Sequence, residues 1–195
     1  MKNRIKMSIG LLIVFICVGV MHNKDNMYEK FLKGKETTAY LGKEQYSITE
    51  LTEAKQGNYV LCDVTGDGKS ELHLKTKRNY FIIEEMDDSL TVIYDGSVYD
   101  NLVCTKNISG ILYFRKGGAP DNYIYQFYEL GLHGEIENQE KWSWYDDNEN
   151  NVMDEMDMYI ANDDFISMDE WSKQTEEYSS LLEQSMNQWQ EWYVE

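Results

Sequence analysis

Between Tyr59 and Leu130 the chain breaks into seven short runs, each rich in Val, Ile, Tyr and Phe. They are Tyr59 to Asp63, Glu71 to Thr76, Tyr80 to Met86, Leu90 to Tyr94, Leu102 to Thr105, Ile111 to Arg115 and Tyr123 to Leu130, separated by Gly, Asn, Asp or Ser. Branched and aromatic residues suit a pleated, half-buried surface, and connections this short leave no room for crossover helices. The pattern predicts an antiparallel β-meander of short strands. Leu90, Val92 and Tyr94 fall on one face of their strand, with Thr91 and Ile93 on the other. Several other runs are apolar or aromatic on both faces, as in a sheet covered on each side over part of its area.

Helices are the natural cover. Met27 to Leu32 sets Tyr28, Phe31 and Leu32 at spacings of three and four before Gly34. Ser47 and Glu50 form a capping-box pair ahead of a second turn over Ile48 to Ala54, and Ser167 with Glu170 opens a helix from Met168 to about Leu182. That last helix carries Trp171, Thr175, Tyr178 and Leu182 on one side, facing the sheet. The tail from Gln184, with Trp189, Trp192 and Tyr193, fits a helix, an edge strand or a frayed end. The single proline, Pro120, lies in a tight connection, and no linker divides the chain. Residues 27–195 therefore read as one mainly β (α+β) domain, with a short N-terminal helix and a C-terminal helix packing on the sheet.

The first residues follow another logic. Lys2, Arg4 and Lys6 precede an apolar run from Met7 to Met21, and then a polar stretch begins at His22. This is the order of a secretory signal, and the run is short of the roughly 20 residues that span a bilayer. Residues 1–26 are expected to act as a cleaved signal peptide or as an uncleaved N-terminal membrane anchor, which puts the domain outside the cell or at its surface. Cys17 lacks a small residue just before it and is a weak lipidation site.

Net charge is −17 over 195 residues. Phosphate backbones are bound by Lys and Arg, so nucleic acid is excluded as a partner, and contact with a membrane is expected only through the N-terminal segment. Outside that segment only Cys62 and Cys104 remain. In an exported chain they fit a single disulfide, but each lies in an apolar run where cysteine serves as a small buried hydrophobe, and that reading is preferred.

The acidity is patterned at two places. Asp63-Val64-Thr65-Gly66-Asp67-Gly68-Lys69-Ser70-Glu71 sets oxygen donors at alternate positions around a glycine. Calcium takes six to eight oxygens, supplied in such loops from positions 1, 3, 5, 7 and 9, with glycine at 6. Those positions are Asp63, Thr65, Asp67, the carbonyl of Lys69, and Glu71, with Gly68 at 6. Position 12 is Leu74, so the terminal bidentate carboxylate of a true EF-hand is missing and a strand follows at once. The second loop has Asp146, Asn148, Asn150, the carbonyl of Val152, Asp154 and Asp157 at positions 1, 3, 5, 7, 9 and 12. Asn151 stands where glycine is usual, and asparagine tolerates the left-handed conformation next best.

The first loop resembles the calcium motif of FG-GAP and VCBS repeat modules, and the second is similar to dockerin-type and EF-hand-like loops. The wider pattern of "YEKFLKG", "DVTGDGKSEL", "GGAPDNYIYQFYEL" and "WSWYDDNENNVMDEMD" resembles exported proteins of uncertain function from Gram-positive gut bacteria. These resemblances imply structural Ca2+ at the matched positions. The many-bladed propeller of FG-GAP modules does not carry over, because the strands are too few.

Catalysis has little to stand on. His22, His73 and His133 sit in no motif, and Gly-x-Ser-x-Gly, His-Glu-x-x-His and phosphate-cradling loops are absent. The expectation is a non-enzymatic binding or structural module that meets a protein or glycan at the cell surface. The alternative is a carbohydrate- or cell-wall-acting enzyme with a carboxylate pair. Trp142 with Trp144, and Tyr123 with Tyr125, share strand faces. Aromatics at period two are more often core than a sugar platform.

Overall fold

Strands that are apolar on both faces need two covers, and the chain supplies them by stacking two sheets and placing helices on the outer faces. The computed structural model describes residues 26–35, 37–117, 122–150, 152–186 and 188–194. The N-terminal segment with Cys17, and Asn151 in the second loop, lie outside the described residues. In chain order the first half comprises α1 (Met27–Leu32), β1 (Ala39–Leu41), β2 (Glu44–Tyr46), α2 (Ile48–Thr52), β3 (Gln56–Cys62), β4 (Glu71–Lys75), β5 (Asn79–Met86) and β6 (Ser89–Ser97). The second half comprises β7 (Asp100–Cys104), β8 (Ser109–Lys116), β9 (Asn122–Leu130), β10 (Ile136–Tyr145), β11 (Met158–Ala161), β12 (Asp164–Phe165), α3 (Met168–Met186) and β13 (Gln190–Tyr193).

The fold is α+β with antiparallel sheets of short strands, as expected. The meander is divided between β6 and β7. β7 to β12 form a six-stranded sheet in sequence order, while β3 to β6 form the centre of a seven-stranded sheet, ordered β13-β3-β4-β5-β6-β1-β2. β1 joins β6 in parallel, through Ala39↔Leu90 and Tyr40↔Thr91. The tail is an edge strand, with Trp192 opposite Gly57 on β3.

Three apolar clusters order the layers. Tyr28, Phe31, Ile48 and Leu51 of α1 and α2 cover Leu72, Leu74, Phe81, Ile83, Leu90 and Val92 on one face of the seven-stranded sheet. Val60, Cys62, Tyr80 and Ile82 on its other face meet Leu102, Ile111 and Leu130 of the second sheet. Val103, Leu112, Tyr125, Phe127 and Trp144 on that sheet's outer face pack against Trp171 and Tyr178 of α3. The helix side chosen by periodicity is the buried one, and the aromatics at period two build this core.

Both capping boxes form. Ser47 Oγ accepts from the Glu50 N–H and Glu50 answers to the Ser47 N–H; Ser167 and Glu170 do the same. Two expectations need correction. A register shift pairs Ile82 with Tyr94 and Ile83 with Val92, leaving Ile93 as the extra residue of a bulge. Tyr94 thereby crosses to the face between the sheets, beside Ile93. Cys62 and Cys104 are not free thiols: they form a disulfide with Cα atoms 6.7 Å apart. Each cysteine is on an inward face of a different sheet, so stacking alone brings them together. The bond joins β3 to β7 across the interior.

Candidate metal centre

The Asp63 loop connects β3 to β4, and its ends are held by the pair Cys62↔Glu71. Asp63 follows directly from the strand, and its carboxylate folds the loop over itself. Oδ1 accepts from the Gly66 N–H at 2.7 Å and Oδ2 from the Gly68 N–H at 2.9 Å. Gly66 and Gly68 have φ of 77° and 88°, a region that side chains with a Cβ avoid. Asp67 Oδ1 accepts from the Lys69 N–H at 2.7 Å, which turns its carboxylate inward.

Glu71 opens β4 and faces the gap between the sheets, fully buried. Its Oε2 accepts from the Val64 N–H at 2.8 Å, and its Oε1 takes the Thr65 hydroxyl at 3.2 Å. Asp63, Asp67 and Glu71 each bring a carboxylate oxygen to within 4.8 Å of the others, the one such group of three or more acids, histidines or cysteines among the described residues. Burial, reinforced by the charge on Asp63, pushes Glu71 up to about 7 against the bonds from Val64 and Thr65 that hold it down. Three converging carboxylates, one of them buried, form a seat for a hard cation. The Lys69 ammonium lies 3.7 Å from Asp67 but is exposed, and such a pair offsets little.

Two neighbours brace this seat without a motif to announce them. The Tyr28 hydroxyl of α1 accepts from the Glu85 N–H at 3.0 Å and lies 3.4 Å from the Ser70 carbonyl, tying the loop's exit to β5. His73 is buried, with Nε2 3.1 Å from the Cys62 carbonyl and Nδ1 2.8 Å from the Tyr80 hydroxyl. A carbonyl only accepts, so Nε2 carries the proton and Tyr80 donates to Nδ1. Burial drives this imidazole down to about 4 and keeps it neutral. A single apolar-run tyrosine and a lone strand histidine give no sequence sign of such roles.

The second loop also joins neighbouring antiparallel strands, closing on Tyr145↔Met158 of β10 and β11. Its aspartates draw donors from the loop and from Trp144, with Asp157 Oδ1 left buried and unpartnered. Asp154 accepts from the side-chain amides of Asn148 at 3.2 Å and Asn150 at 2.9 Å and from the Met156 N–H at 2.8 Å. Asp157 Oδ2 accepts from Trp144 Nε1 at 2.9 Å and from the Asp154 N–H at 3.0 Å. The buried Asp146 accepts from the Asn150 N–H at 3.1 Å, and the Val152 N–H donates to Asn150 Oδ1. Asp146, Asp154 and Asp157 are thus placed around one loop, but their oxygens do not draw together as those of the first loop do.

The chain matches no known protein family, no characterised protein and no solved structure. Its chemistry is therefore read from the site itself: an acidic domain with a surface carboxylate cluster able to hold a metal ion.

Proposed function

We propose that this is an exported module whose Asp63 loop binds calcium as a structural ion, and that the calcium-braced domain presents a surface to a protein or glycan outside the cell. The observation that carries the reading is the convergence of Asp63, Asp67 and Glu71. An all-oxygen donor set favours calcium over softer metals, and a loop site without an octahedral cage favours it over magnesium with its strict octahedral demand. Comparable extracellular loops bind in the range of about 10⁻⁴ to 10⁻³ M, weak enough to need the calcium outside a cell. The Cys62–Cys104 disulfide supports the same compartment, since such bonds persist where the surroundings are oxidising. The ion's role is mechanical: it offsets carboxylates that otherwise repel one another at the mouth of the sheet stack.

Thermal melting tests this. Excess EDTA lowers Tm and added calcium restores it, whereas an identical melting curve in EDTA and in millimolar calcium rejects the reading. The Asp146 loop is proposed as a second, weaker site, because Asp146, Asn148, Asn150, Asp154 and Asp157 surround one turn and the side-chain amides can present their oxygens instead of their N–H groups.

A further inference from the structure

The two sheets cover each other only in part. The cluster between them takes Leu102, Ile111 and Leu130 of the six-stranded sheet, with Cys104 and Tyr128 beside them, all from β7, β8 and β9. β10, β11 and β12 contribute no residue to it. Register lays two rows of side chains across this remaining half-face. One runs from β8 to β12 through Arg115↔Ile124, Ile124↔Ser143, Ser143↔Ile160 and Ile160↔Phe165. The next runs through Tyr113↔Gln126 and Gln126↔Lys141. Residues directly opposite in a ladder share a face, and the alternate residues Phe114, Tyr125, Trp144 and Tyr159 pack on the α3 side, so both rows face away from α3.

The first row crosses five strands, about 19 Å at the usual strand spacing. Phe165 stands at its free end, 76% exposed, and the small Ser143 lies buried at its centre between two isoleucines, so the row dips in the middle. Its charge runs against that of the molecule. The chain has 35 acidic residues to 18 basic ones, yet the two rows carry Arg115 and Lys141 and no acid. Among the described residues, the ion pairs are Lys33 with Glu29, Lys69 with Asp67 and Arg78 with Glu53, so neither cation of the face is paired. Gln126 Oε1 accepts from the Tyr128 hydroxyl at 2.9 Å, which leaves the side-chain N–H group of Gln126 to donate.

We infer that this half-face binds a glycan that carries carboxylates, laid along the row from Arg115 to Phe165. The inference rests on the reading of the domain as a module that meets a glycan outside the cell, and it names the glycan's chemistry. Sugar rings have an apolar face for Phe165 and Ile160 and hydroxyls for Gln126. A carboxylate matches the planar fork of Arg115, and Lys141, two strands away from it, meets a second at about 10 Å. An acidic peptide fits less well. Peptides add to a strand edge, and the edge beside this face is the two-residue β12, too short to template one.

Calorimetric titration tests it at about 0.15 M salt, where long-range repulsion by the acidic chain is screened. The probes are tetrasaccharides of galacturonate, mannuronate and hyaluronan, with neutral cellotetraose and a glutamate tetrapeptide beside them. The expected result is binding of a uronate tetrasaccharide by the wild type, weakened about tenfold or more in Arg115→Gln and less in Lys141→Gln. Phe165→Ala, at an exposed position that cannot unfold the chain, also weakens it and leaves Tm unchanged. Uronate binding that is the same in Arg115→Gln and Phe165→Ala overturns the inference and leaves a glycan surface elsewhere on the molecule. Cellotetraose bound as tightly as the uronates overturns it with the same consequence. Binding of the glutamate peptide alone overturns it in favour of a protein partner. No binding of any sugar overturns both this inference and the glycan reading, and leaves the calcium loop standing.

Discussion

The two acidic loops are built to one plan and end in different states. Each joins neighbouring antiparallel strands, one in each sheet, and each begins with an aspartate that accepts N–H bonds from its own loop. Even the fourth residue is left-handed in both, Gly66 with φ 77° and Glu149 with φ 58°. The difference lies in where the last donors sit. Glu71 belongs to a strand and is buried beneath the second sheet, so its carboxylate is delivered to Asp63 by the ladder. Asp154 lies in a longer loop rich in asparagine, which supplies N–H donors of its own. A loop held by its strands keeps its carboxylates together, whereas a loop with spare amides disperses their charge.

The largest test of that difference is the disulfide. Replacing Cys62 and Cys104 by serine opens a 42-residue closure and is expected to lower stability by about 4 kcal/mol in urea unfolding. Because Cys62 is paired with Glu71 and precedes Asp63, the same change weakens calcium binding at the first loop and spares the second. Equal weakening at both breaks the comparison.

Next come the loop aspartates. Asp63→Ala removes two charge-assisted N–H bonds and one ligand, costing about 2 kcal/mol without calcium and abolishing the rise in Tm on adding it. Asp154→Ala is expected to leave most of the calcium-induced rise intact. Melting both variants with and without calcium ranks the loops.

The pH dependence separates them further. Glu71, raised from 4.5 to about 7, keeps a proton in the folded chain that the unfolded chain has lost, so its contribution is full below pH 4.5 and lost as pH rises through 7. His73, lowered from 6.5 to about 4, contributes fully above pH 6.5, and that contribution is lost as pH falls towards 4. The two oppose each other between 4.5 and 6.5. In EDTA, Glu71→Gln therefore unmasks the His73 limb, with stability falling below pH 6.5 and level from there to neutrality. Saturating calcium gives the wild type the same level stretch by favouring ionised Glu71. Asp154 is held below its ordinary range by Asn150 and the Met156 N–H, so Asp154 adds no slope in this window. Denaturant midpoints from pH 4 to 8 provide the check.

The smallest effects are at position four. Gly66→Ala introduces left-handed strain where no neighbouring atom obstructs a Cβ, and Glu149→Gly relieves it, each by about 1 kcal/mol and with opposite sign. Like signs in urea unfolding contradict the shared backbone plan.

Much of this was legible along the chain. Period-two runs marked the central strands, Ser-x-x-Glu marked two helix starts, and alternating oxygens around Gly68 marked the convergent site. β1 and β2 were missed because three-residue strands carry too little pattern to register. The Ile93 bulge was missed because one extra residue shifts side chains between faces without changing composition.

Local pattern determined which residues form strands and which faces are apolar, because periodicity and turn chemistry act over a few residues. It could not say what covers each face. Stacking the sheets joined Cys62 to Cys104 and buried Glu71, and pairing with β3 recruited the tail as an edge strand. Those partners are separated along the chain and meet only because packing removes apolar surface from water, a force with no direction of its own.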